Sequence, residues 1–387
     1  MTIESSSLEK APKIPYYLSE DLVMSILLKL PVKSLGRFKC VCKSWYSLIN
    51  CPTFITMHLN SKDRHNDYLA FIGYGGISSE KLSISFFSYH TNDIPPNLPN
   101  IQFDHNPNFV GFCNGLLCVV ANEINFYVVN PTTKESKVLK EPNKPLGSPS
   151  YGFGFDSKAN EYKLVRVTIE KTELLTLKSN CWRSILMNDH STSVMKRVRN
   201  LDDLWCKAVT KNSFHWIGRT QDEKKEKFIV VAFDLFDEEF RDIKIPGDYQ
   251  GFYDFPWHCH RCAVLQDCLS VSSVVHRSVS GYKIEVWLMK EYGIDGSWTK
   301  QYCFSMSTAL YLSTLINLIE FHKQGHDHYW PLQKSNEELI FSSSSSKKEF
   351  FFKNIKMHPR FGAAFFDYRE TLVPILIDRK DNDQIPF

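Results

Sequence analysis

Apolar residues recur at helical spacing in a segment that ends at Pro31. Ser19 precedes the segment as a helix N-cap, and Glu20 and Asp21 follow in the first turn, where the helix dipole favours negative charge. Proline lacks the N–H group that continues a helix, so Pro31 ends this one. The apolar positions are Leu22, Val23, Ile26, Leu27 and Leu30, with Met24 and Leu28 beside them. The pattern predicts an amphipathic first helix.

A second helix is predicted from about Ser34 to Ile49. Its apolar face contains Leu35, Phe38, Cys42, Trp45 and Ile49, flanked by Val41 and Leu48, and its polar side contains Lys33, Arg37, Lys39 and Lys43. A hairpin of about forty residues cannot bury this much apolar surface by itself. The hairpin either packs on the rest of the chain, docks a separate helical protein, or is a helix-turn-helix DNA reader. The predicted recognition helix is too apolar for the third interpretation.

From about Tyr68 onward the pattern changes to short apolar runs separated by turn residues. In FVGFCNGLLCVV (109–120) an Asn-Gly pair between apolar runs indicates a β-hairpin. Turns near residues 130, 180, 237 and 295 are 50, 57 and 58 residues apart, a spacing typical of four-stranded propeller blades. The chain is therefore predicted to be mainly β, with a small N-terminal α-helical hairpin followed by a β-propeller-like domain of roughly six blades. The ends of that domain are expected to meet and close the ring.

Composition and charge narrow the class of protein. Among 387 residues, 43% are hydrophobic and 23% charged, as in ordinary globular proteins, and 14% are aromatic, which favours strands. The formal net charge is only +3, so no overall field indicates a nucleic-acid or membrane partner. The 11 cysteines lack disulfide-framework spacing, and no signal peptide or bilayer-spanning run is evident. We therefore expect a reduced protein of the cytoplasm, the nucleus or both.

Three segments resemble sites of chemistry. WHCHRCAVLQDC (257–268) offers His258, Cys259, His260, Cys262 and Cys268, and FHKQGHDHYW (321–330) offers His322, His326 and His328. Neighbouring residues of a strand point to opposite faces, which disfavours a zinc site in the first, and the second is typical of a solvated loop. GFGFD (152–156) lacks the third glycine and the helix of a phosphate-binding loop, so its glycines indicate close strand packing. No catalytic motif is present, and we expect no catalytic residue, metal or cofactor.

Residues 18–57 resemble a plant F-box. The resemblance rests on LSEDLVMSILLKLPVKSLGRFKCVCKSWYSLI, with Leu-Pro at 30–31, Val-Cys-Lys-Ser-Trp at 41–45 and the trailing Phe54. In that family the F-box is a helical hairpin that binds a Skp-type adaptor, which in turn holds a cullin ubiquitin ligase. The implied adaptor-binding residues are Leu18, Leu22, Ile26, Leu30, Pro31, Leu35, Val41 and Trp45. Each is alternatively a core residue of the hairpin, and Leu18, Pro31 and Leu35 are favoured as contacts.

Most of residues 105–375 resembles the plant F-box-associated domain, which is kelch-like. The resemblance rests on GFCNGLLCV, NPTTKE, YGFGFDSKANEYKLVRV, FHWIG, FDLFDEEFRDIKIP, VWLMKEYGIDGSWTKQY and YRETLVP. The MKEYG and SWTK phrases are similar to the self-incompatibility locus F-box family and its somatic relatives. The implied organisation is a disordered tail (1–17), an F-box (18–60), a linker (61–67) and a propeller-like domain (68–380).

Two functions compete. In the first, the chain is the substrate-receptor subunit of an SCF-type cullin ubiquitin ligase: the F-box docks the adaptor, the β domain captures an unknown target protein, and the chain performs no catalysis itself. In the alternative, the β domain is a propeller enzyme or carbohydrate-binding protein and the hairpin only packs on it. The excess apolar surface and the absence of a catalytic set of residues favour the first.

An aromatic segment is the candidate for target binding. The loops with the least blade-like sequence are 186–203, 219–227, 247–260 and 305–335, and the third contains Tyr249, Phe252, Tyr253, Phe255 and Trp257. Loops are normally polar, so this one is either a buried plug over the end of the barrel or a contact surface. The residues predicted to bind the target are Tyr249, Phe252, Tyr253 and Trp257.

Overall fold

The computed structural model divides the chain into two compact units, Met1–His65 and Asn66–Phe387. The structure describes residues 18–61, 68–74, 82–88, 98–99, 101–103, 107–121, 124–140, 149–168, 171–201, 208–222, 225–246, 260–278, 281–306, 329–335, 338–343, 349–353 and 364–375. The predicted tail (1–17) and all but Ser61 of the predicted linker lie outside these residues.

The N-terminal unit contains four short helices in its described part. They are α1 (Glu20–Leu28), α2 (Val32–Phe38), α3 (Lys43–Ile49) and α4 (Pro52–Leu59). Ser19 caps α1 as predicted, because its Oγ accepts a hydrogen bond of 3.3 Å from the backbone N–H of Leu22. α4 packs against α1 and α3, and the side chains that fill the centre are Leu27, Leu35, Ile49 and Phe54, all fully buried.

The prediction of a single second helix was wrong. The predicted helix is divided into α2 and α3 by a turn over 39–41, and α4 follows. Cys42 is extended, with φ −160° and ψ 165°, and its Sγ accepts a hydrogen bond of 3.5 Å from the backbone N–H of Trp45. A residue that was expected in the middle of the apolar face is therefore the N-cap of α3, and it is exposed.

In its described part the C-terminal unit consists of antiparallel sheets in which most paired strands are consecutive in the chain. The first sheet contains β1 (Tyr68–Tyr74), β2 (Leu82–Ser88) and β3 (Ile101–Phe103); the second, β4 (Asn108–Cys113), β5 (Leu116–Ala121), β6 (Asn125–Asn130) and β7 (Glu135–Lys140); the third, β8 (Ser150–Asp156), β9 (Glu161–Val167), β10 (Thr172–Thr176) and β11 (Trp182–Ser184). Helix α5 (Asp189–Arg197) precedes the fourth sheet, which contains β12 (Val198–Leu201), β13 (Ala208–Thr210), β14 (Ser213–Asp222), β15 (Lys225–Asp234) and β16 (Phe240–Lys244).

Two further sheets and a final strand complete this unit. The fifth sheet contains β17 (His260–Leu265), β18 (Cys268–Ser278), β19 (Gly281–Met289) and β20 (Trp298–Met306), and the sixth contains β21 (Tyr329–Ser335), β22 (Glu338–Ser343) and β23 (Glu349–Lys353). The last strand, β24 (Ala364–Tyr368), pairs with β1 in the first sheet. The described strands thus form six sheets, four of four strands, one of five and one of three. The predicted class, N-terminal helices followed by a mainly β propeller domain, is confirmed.

The predicted repeat corresponds to one structural position. The turns near 130, 180, 237 and 295 each connect the last two strands of a sheet, namely β6 to β7, β10 to β11, β15 to β16 and β19 to β20. The Asn-Gly hairpin is also confirmed, because Asn114 and Gly115 take φ values of 52° and 81° between β4 and β5. Such positive φ values are accessible mainly to glycine and asparagine.

The domain closes through its last strand, as the sequence predicted. β24 and β1 pair with Tyr368 opposite Tyr68 and Ala364 opposite Ile72. The Tyr368 ring packs on Phe86 with ring centroids 4.6 Å apart, which joins the two ends of the domain in one hydrophobic core. The edge of β1 is thereby paired with a strand from the other end of the domain, while β2 pairs with the next strand in the chain, β3.

Two of the segments interpreted as loops are largely regular. Residues 186–203 include α5 and β12, and residues 219–222 and 225–227 form the paired ends of β14 and β15. Asn188 caps α5 by accepting a hydrogen bond of 2.7 Å from the N–H of Ser191, whose own Oγ accepts 2.9 Å from the N–H of Phe240 on β16. The helix therefore covers a strand that would otherwise be an exposed edge. Its few apolar positions concealed it in the sequence.

Candidate functional site

One row of apolar side chains on the N-terminal unit is exposed. Leu18, Leu22 and Ile26 are 59%, 54% and 50% exposed. Leu22 and Ile26 are four residues apart and lie on one side of α1, and Leu18 directly precedes the N-cap of the helix. We call these three residues the α1 apolar row. Ser19 and the acidic residues of the first turn fix where α1 begins, and Leu27 faces the core from the opposite side. A monomeric protein rarely leaves such a contiguous row in water without a partner for it.

A second exposed apolar area lies around the junction of α2 and α3. There Val41 is 60% exposed and Tyr46 is 57% exposed. A further apolar side chain of this unit, Met57 on α4, is 44% exposed. Val41 was predicted as a contact, but Tyr46 and Met57 were not. The division of the second helix exposes Tyr46, because α3 begins at its own cap at Cys42 and is not aligned with the stripe on α2.

The remaining predicted adaptor-binding residues take different environments. Pro31 is exposed as the N-cap residue of α2, and Leu30 is half-buried, with its carbonyl oxygen 3.0 Å from His58 Nε2. Trp45 is half-buried and packs against Phe38 with ring centroids 5.4 Å apart. Leu35 is fully buried, so its side chain contributes to the core of the helical unit. A buried side chain does not fit the expectation that Leu35 contacts a partner at the surface.

The residues predicted to bind the target, Tyr249, Phe252, Tyr253 and Trp257, lie outside the described residues. The strands on either side of them are described: residues 247–260 connect the end of β16 to the start of β17. Antiparallel strands alternate in direction, so connections between sheets and connections between second and third strands emerge at one face of a propeller. The four segments singled out from the sequence contain connections of these two kinds. They are 186–203, 219–227, 247–260 and 305–335.

The histidines and cysteines of segment 257–268, for which the sequence disfavoured a zinc site, lie partly within the described residues. His258 and Cys259 lie outside the described residues, as do His322, His326 and His328. His260 Nδ1 is 2.7 Å from Ser273 Oγ, and Cys262 Sγ donates to the carbonyl of His215 at 3.1 Å. Within the described ranges, no group of three or more His, Cys, Asp or Glu side chains is placed to hold a metal ion.

Sequence reasoning missed His215, a fully buried histidine on β14 in the phrase FHWIG. Its Nδ1 lies 3.0 Å from the carbonyl oxygen of Ala208, which only accepts, so Nδ1 carries the proton. Its Nε2 therefore accepts from the hydroxyl of Tyr292 at 2.8 Å. Burial lowers the pKa of His215 to about 4, and burial likewise lowers the pKa of His260 to about 4. His215 thus links the fourth and fifth sheets as a neutral imidazole.

A buried ion cluster joins the third and fourth sheets. Lys163 Nζ lies 3.0 Å from Asp156 Oδ2 and 3.2 Å from Glu238 Oε1, and it also donates to the carbonyl of Leu235. Burial raises the pKa of Asp156, but the N–H of Ala159 and the Lys163 ammonium outweigh it, and the pKa is lowered. Glu238 is likewise lowered in pKa by Arg183 and Lys163 against the effect of burial. These carboxylates are held ionised between sheets, which is a structural role.

The glycines of GFGFD pack strands closely, as predicted. Gly152 and Gly154 lie on β8, and a Cβ built on either one would come within 2.8 Å of the Phe214 ring on β14. The ring therefore lies flat over a strip without side chains, at the contact between two sheets. No described helix of the chain is both long and apolar enough to cross a membrane.

Comparison with known proteins assigns both units. The model of the F-box domain matches residues 17–56, and that of the F-box associated beta propeller domain matches residues 76–374. Two relatives from Arabidopsis thaliana, "F-box/kelch-repeat protein At3g23880" and "F-box protein CPR1", are each 27% identical. The first alignment covers 74% of this chain and 79% of the relative, and the second covers 72% and 71%.

Among solved structures, the β-propeller domain of Myceliophteria thermophila Cps50 (Swd1) is 8% identical, with a TM-score of 0.35 over 75% of this chain and 80% of that one. That likeness is too weak to carry an argument. The two domain matches lie in the two units, and the second alone spans most of the chain. The chain therefore belongs to the family of F-box proteins that carry an F-box associated β-propeller domain.

Proposed function

We propose that this protein is the substrate-receptor subunit of an SCF-type cullin ubiquitin ligase. In this role its F-box docks a Skp-type adaptor, and through it a cullin, while the propeller domain captures a target protein for ubiquitination. The chain itself makes and breaks no bond. It raises the local concentration of the target near the ubiquitin-charged enzyme, which accelerates transfer by proximity. Such a subunit acts in the cytoplasm, the nucleus or both.

The observation that carries the proposal is the exposure of the α1 apolar row. Leu18, Leu22 and Ile26 are each at least half exposed, although the same helix buries Leu27 completely. Transfer of apolar area out of water contributes about 25 cal/mol per Å², so covering these side chains with another protein stabilises the complex. Pro31 and Val41, also exposed, add apolar surface before and after α2.

For the propeller domain, the topology supports target capture at one face. The four segments singled out from the sequence connect strand ends that emerge at that face, whereas several described connections at the opposite face are short turns. Among those short turns are Asn114–Gly115 and Gln266–Asp267, which have positive φ values. Tyr249, Phe252, Tyr253 and Trp257 stay our candidates for contacts with the target, since Tyr and Trp dominate binding hot spots.

The alternative of a propeller enzyme or carbohydrate-binding protein gains no support from a specific observation. Two described side chains that could act as acids or bases have structural partners. His215 binds Ala208 and Tyr292, and Lys163 binds Asp156 and Glu238.

Co-purification tests the proposal. The full chain is expressed with a tagged Skp-type adaptor and a cullin, and the expected result is a single complex of all three on size-exclusion chromatography. Ile26→Asp should abolish the complex, because a carboxylate would be buried without a partner. Leu186→Asp is the matched control, because Leu186 is 96% exposed on the other unit. Equal complex formation by both variants would contradict the proposed docking surface, and no complex with the unmodified chain would contradict the function.

A further inference from the structure

A groove lies at the junction of α2 and α3 on the F-box. It has a volume of about 490 Å³, and its lining residues are Lys39, Cys40, Cys42, Lys43, Tyr46 and Ser47. The Tyr46 ring in its wall is 57% exposed, and Val41, between the two lining cysteines in sequence, is 60% exposed. The groove therefore combines two lysine residues with apolar surface. We call it the Lys39–Lys43 groove.

The charged residues of the F-box are segregated by sign. Between residues 18 and 61 the sequence has two carboxylates, Glu20 and Asp21, both in the first turn of α1. The cationic residues of the same range are Lys29, Lys33, Arg37, Lys39 and Lys43. Five positive and two negative charges give this range a net charge of +3, which equals the formal net charge of the whole chain. The cationic field is thus concentrated on the part of the F-box that contains the groove.

We propose that the Lys39–Lys43 groove receives an acidic segment of the adaptor, in which Asp or Glu side chains stand next to apolar ones. The inference rests on the proposed function and specifies the chemistry of the partner. Carboxylates of such a segment would pair with Lys39 and Lys43, while its apolar side chains would cover Tyr46 and Val41. A nucleic acid would pair its phosphates with the lysines and stack a base on Tyr46, but it would leave the aliphatic Val41 in water, so the groove fits a polypeptide better.

Charges at the rim of an interface act chiefly on the rate of encounter. Long-range attraction between a cationic and an acidic surface raises the association rate constant, and salt screens that attraction. The dissociation rate depends more on the buried apolar contacts, which for this F-box include the α1 apolar row. The two parts of the surface therefore have separable kinetic signatures.

Association kinetics of the full chain with a Skp-type adaptor test the inference. The association rate constant of the unmodified chain should fall by roughly tenfold between 50 and 500 mM NaCl. At low salt, Lys39→Glu combined with Lys43→Glu should lower it by a similar factor and flatten its salt dependence. The control is Lys134→Glu combined with Lys290→Glu, which reverses two exposed lysines on the propeller domain and should leave the rate unchanged. Circular dichroism checks that the helices of each variant are retained.

The outcomes separate this inference from the proposed function. Suppose that the adaptor binds, and that its association rate constant changes neither with salt nor on substitution of Lys39 and Lys43. The acidic-segment assignment is then overturned and the docking role stands. If the unmodified chain does not bind the adaptor, both are overturned. If an oligonucleotide binds the unmodified chain, competes with the adaptor and loses affinity in the Lys39/Lys43 variant, the groove is a nucleic-acid site and the assignment is again overturned.

Discussion

The side-chain amide of Asn130 donates a hydrogen bond of 2.8 Å to the backbone carbonyl of Val373, which joins the second sheet to the C-terminal segment of the domain. The same Nδ2 donates 3.3 Å to the carbonyl of Thr371, while Oδ1 accepts from the N–H groups of Thr132 and Thr133. Asn130 is completely buried, and both the Nδ2 and the Oδ1 of its amide are hydrogen-bonded within the protein. Ring closure thus depends on this side chain as well as on the pairing of β24 with β1.

Replacing Asn130 by Asp should destabilise the propeller domain. The carboxylate would still accept from the turn, but it would face the carbonyls of Thr371 and Val373 without a proton to donate. We expect a loss of roughly 3 kcal/mol in the free energy of unfolding, from two lost hydrogen bonds and a buried charge. Asp234→Asn is the control, because Asp234 Oδ1 accepts from Phe236 and Asp237 in a similar turn and Asn preserves that acceptor. Equal urea midpoints for the two variants would contradict the role of Asn130.

A side chain at Gly152 should separate two sheets. Its Cβ would lie 2.8 Å from Cδ2 of the Phe214 ring, and overpacking of this kind costs about 1–3 kcal/mol. Calorimetry should show a lower melting temperature for the Gly152→Ala propeller domain, partly restored by adding Phe214→Leu. Gly36→Ala is the matched control: nothing lies within 4 Å of its Cβ position on α2, and alanine favours a helix by about 1 kcal/mol. A neutral Gly152→Ala variant would refute this packing.

Stability should fall in mild acid because of His215 and His260. Above about pH 6.5 each imidazole is neutral in both the folded and unfolded chain, so pH has no effect through it. Between 6.5 and the folded pKa of about 4, only the unfolded chain takes up the proton, and each histidine reduces the free energy of unfolding. The slope approaches about 1.4 kcal/mol per pH unit for each histidine.

The carboxylates Asp156 and Glu238 extend the loss below that range, because their lowered pKa values stabilise the fold only while they are ionised. Urea midpoints measured from pH 7.5 to 5 check the histidine contribution. His260→Asn should reduce the slope, whereas His190→Asn, at an exposed position on α5, should not. A midpoint that does not change between pH 6.5 and 5 would exclude buried neutral histidines.

Limited proteolysis should separate the two domains. The polar segment SKDRHND (61–67) has the composition of an exposed connector, and residues 140–150 connect two sheets. We expect the first cuts in one of these two ranges, identified by mass spectrometry of the fragments. First cleavage inside 109–139 or 228–246, which contain paired strands, would argue against the proposed division.

Target capture should depend on the aromatic segment 249–257. Changing Tyr253 and Trp257 together to Ser should abolish retention of the target in affinity purification while the melting temperature and adaptor binding stay as in the unmodified chain. Ile294→Ser controls for the general removal of exposed apolar surface from this domain, because Ile294 is 52% exposed and lies in the connection between β19 and β20, at the opposite face. A large fall in melting temperature for the double variant would instead show that the two rings are core residues.

The sequence predicted the propeller well because its turns are chemically constrained. Asn130, Asp156 and Asp234 each accept hydrogen bonds from the N–H groups of the turn that follows. The residue four positions after each, Lys134, Asn160 and Glu238, takes a positive φ. NPTTKE, DSKANE and DLFDEE are thus three versions of one turn, visible as a pattern of residue types.

The helical unit was harder to predict because its decisive interactions are weak or non-local. The helix break at Cys42 depends on a thiol that caps α3, a role that sequence rules assign to Ser, Thr, Asp or Asn. Leu35 and Leu22 have the same residue type and helical spacing, yet one is fully buried and the other is 54% exposed. Which of two apolar stripes faces inward is decided by the packing of α2, α3 and α4, and no local pattern encodes it.

The affinity of the full chain for a Skp-type adaptor, measured by isothermal titration calorimetry, tests the central claim most directly. Leu22→Ala combined with Ile26→Ala removes apolar surface from the α1 apolar row, and Leu186→Ala removes it from the propeller domain. We predict that the first variant binds at least about 30-fold more weakly, equivalent to roughly 2 kcal/mol, and that the second binds as the unmodified chain does. Equal affinities for the three proteins would contradict the claim that the exposed face of α1 docks the adaptor.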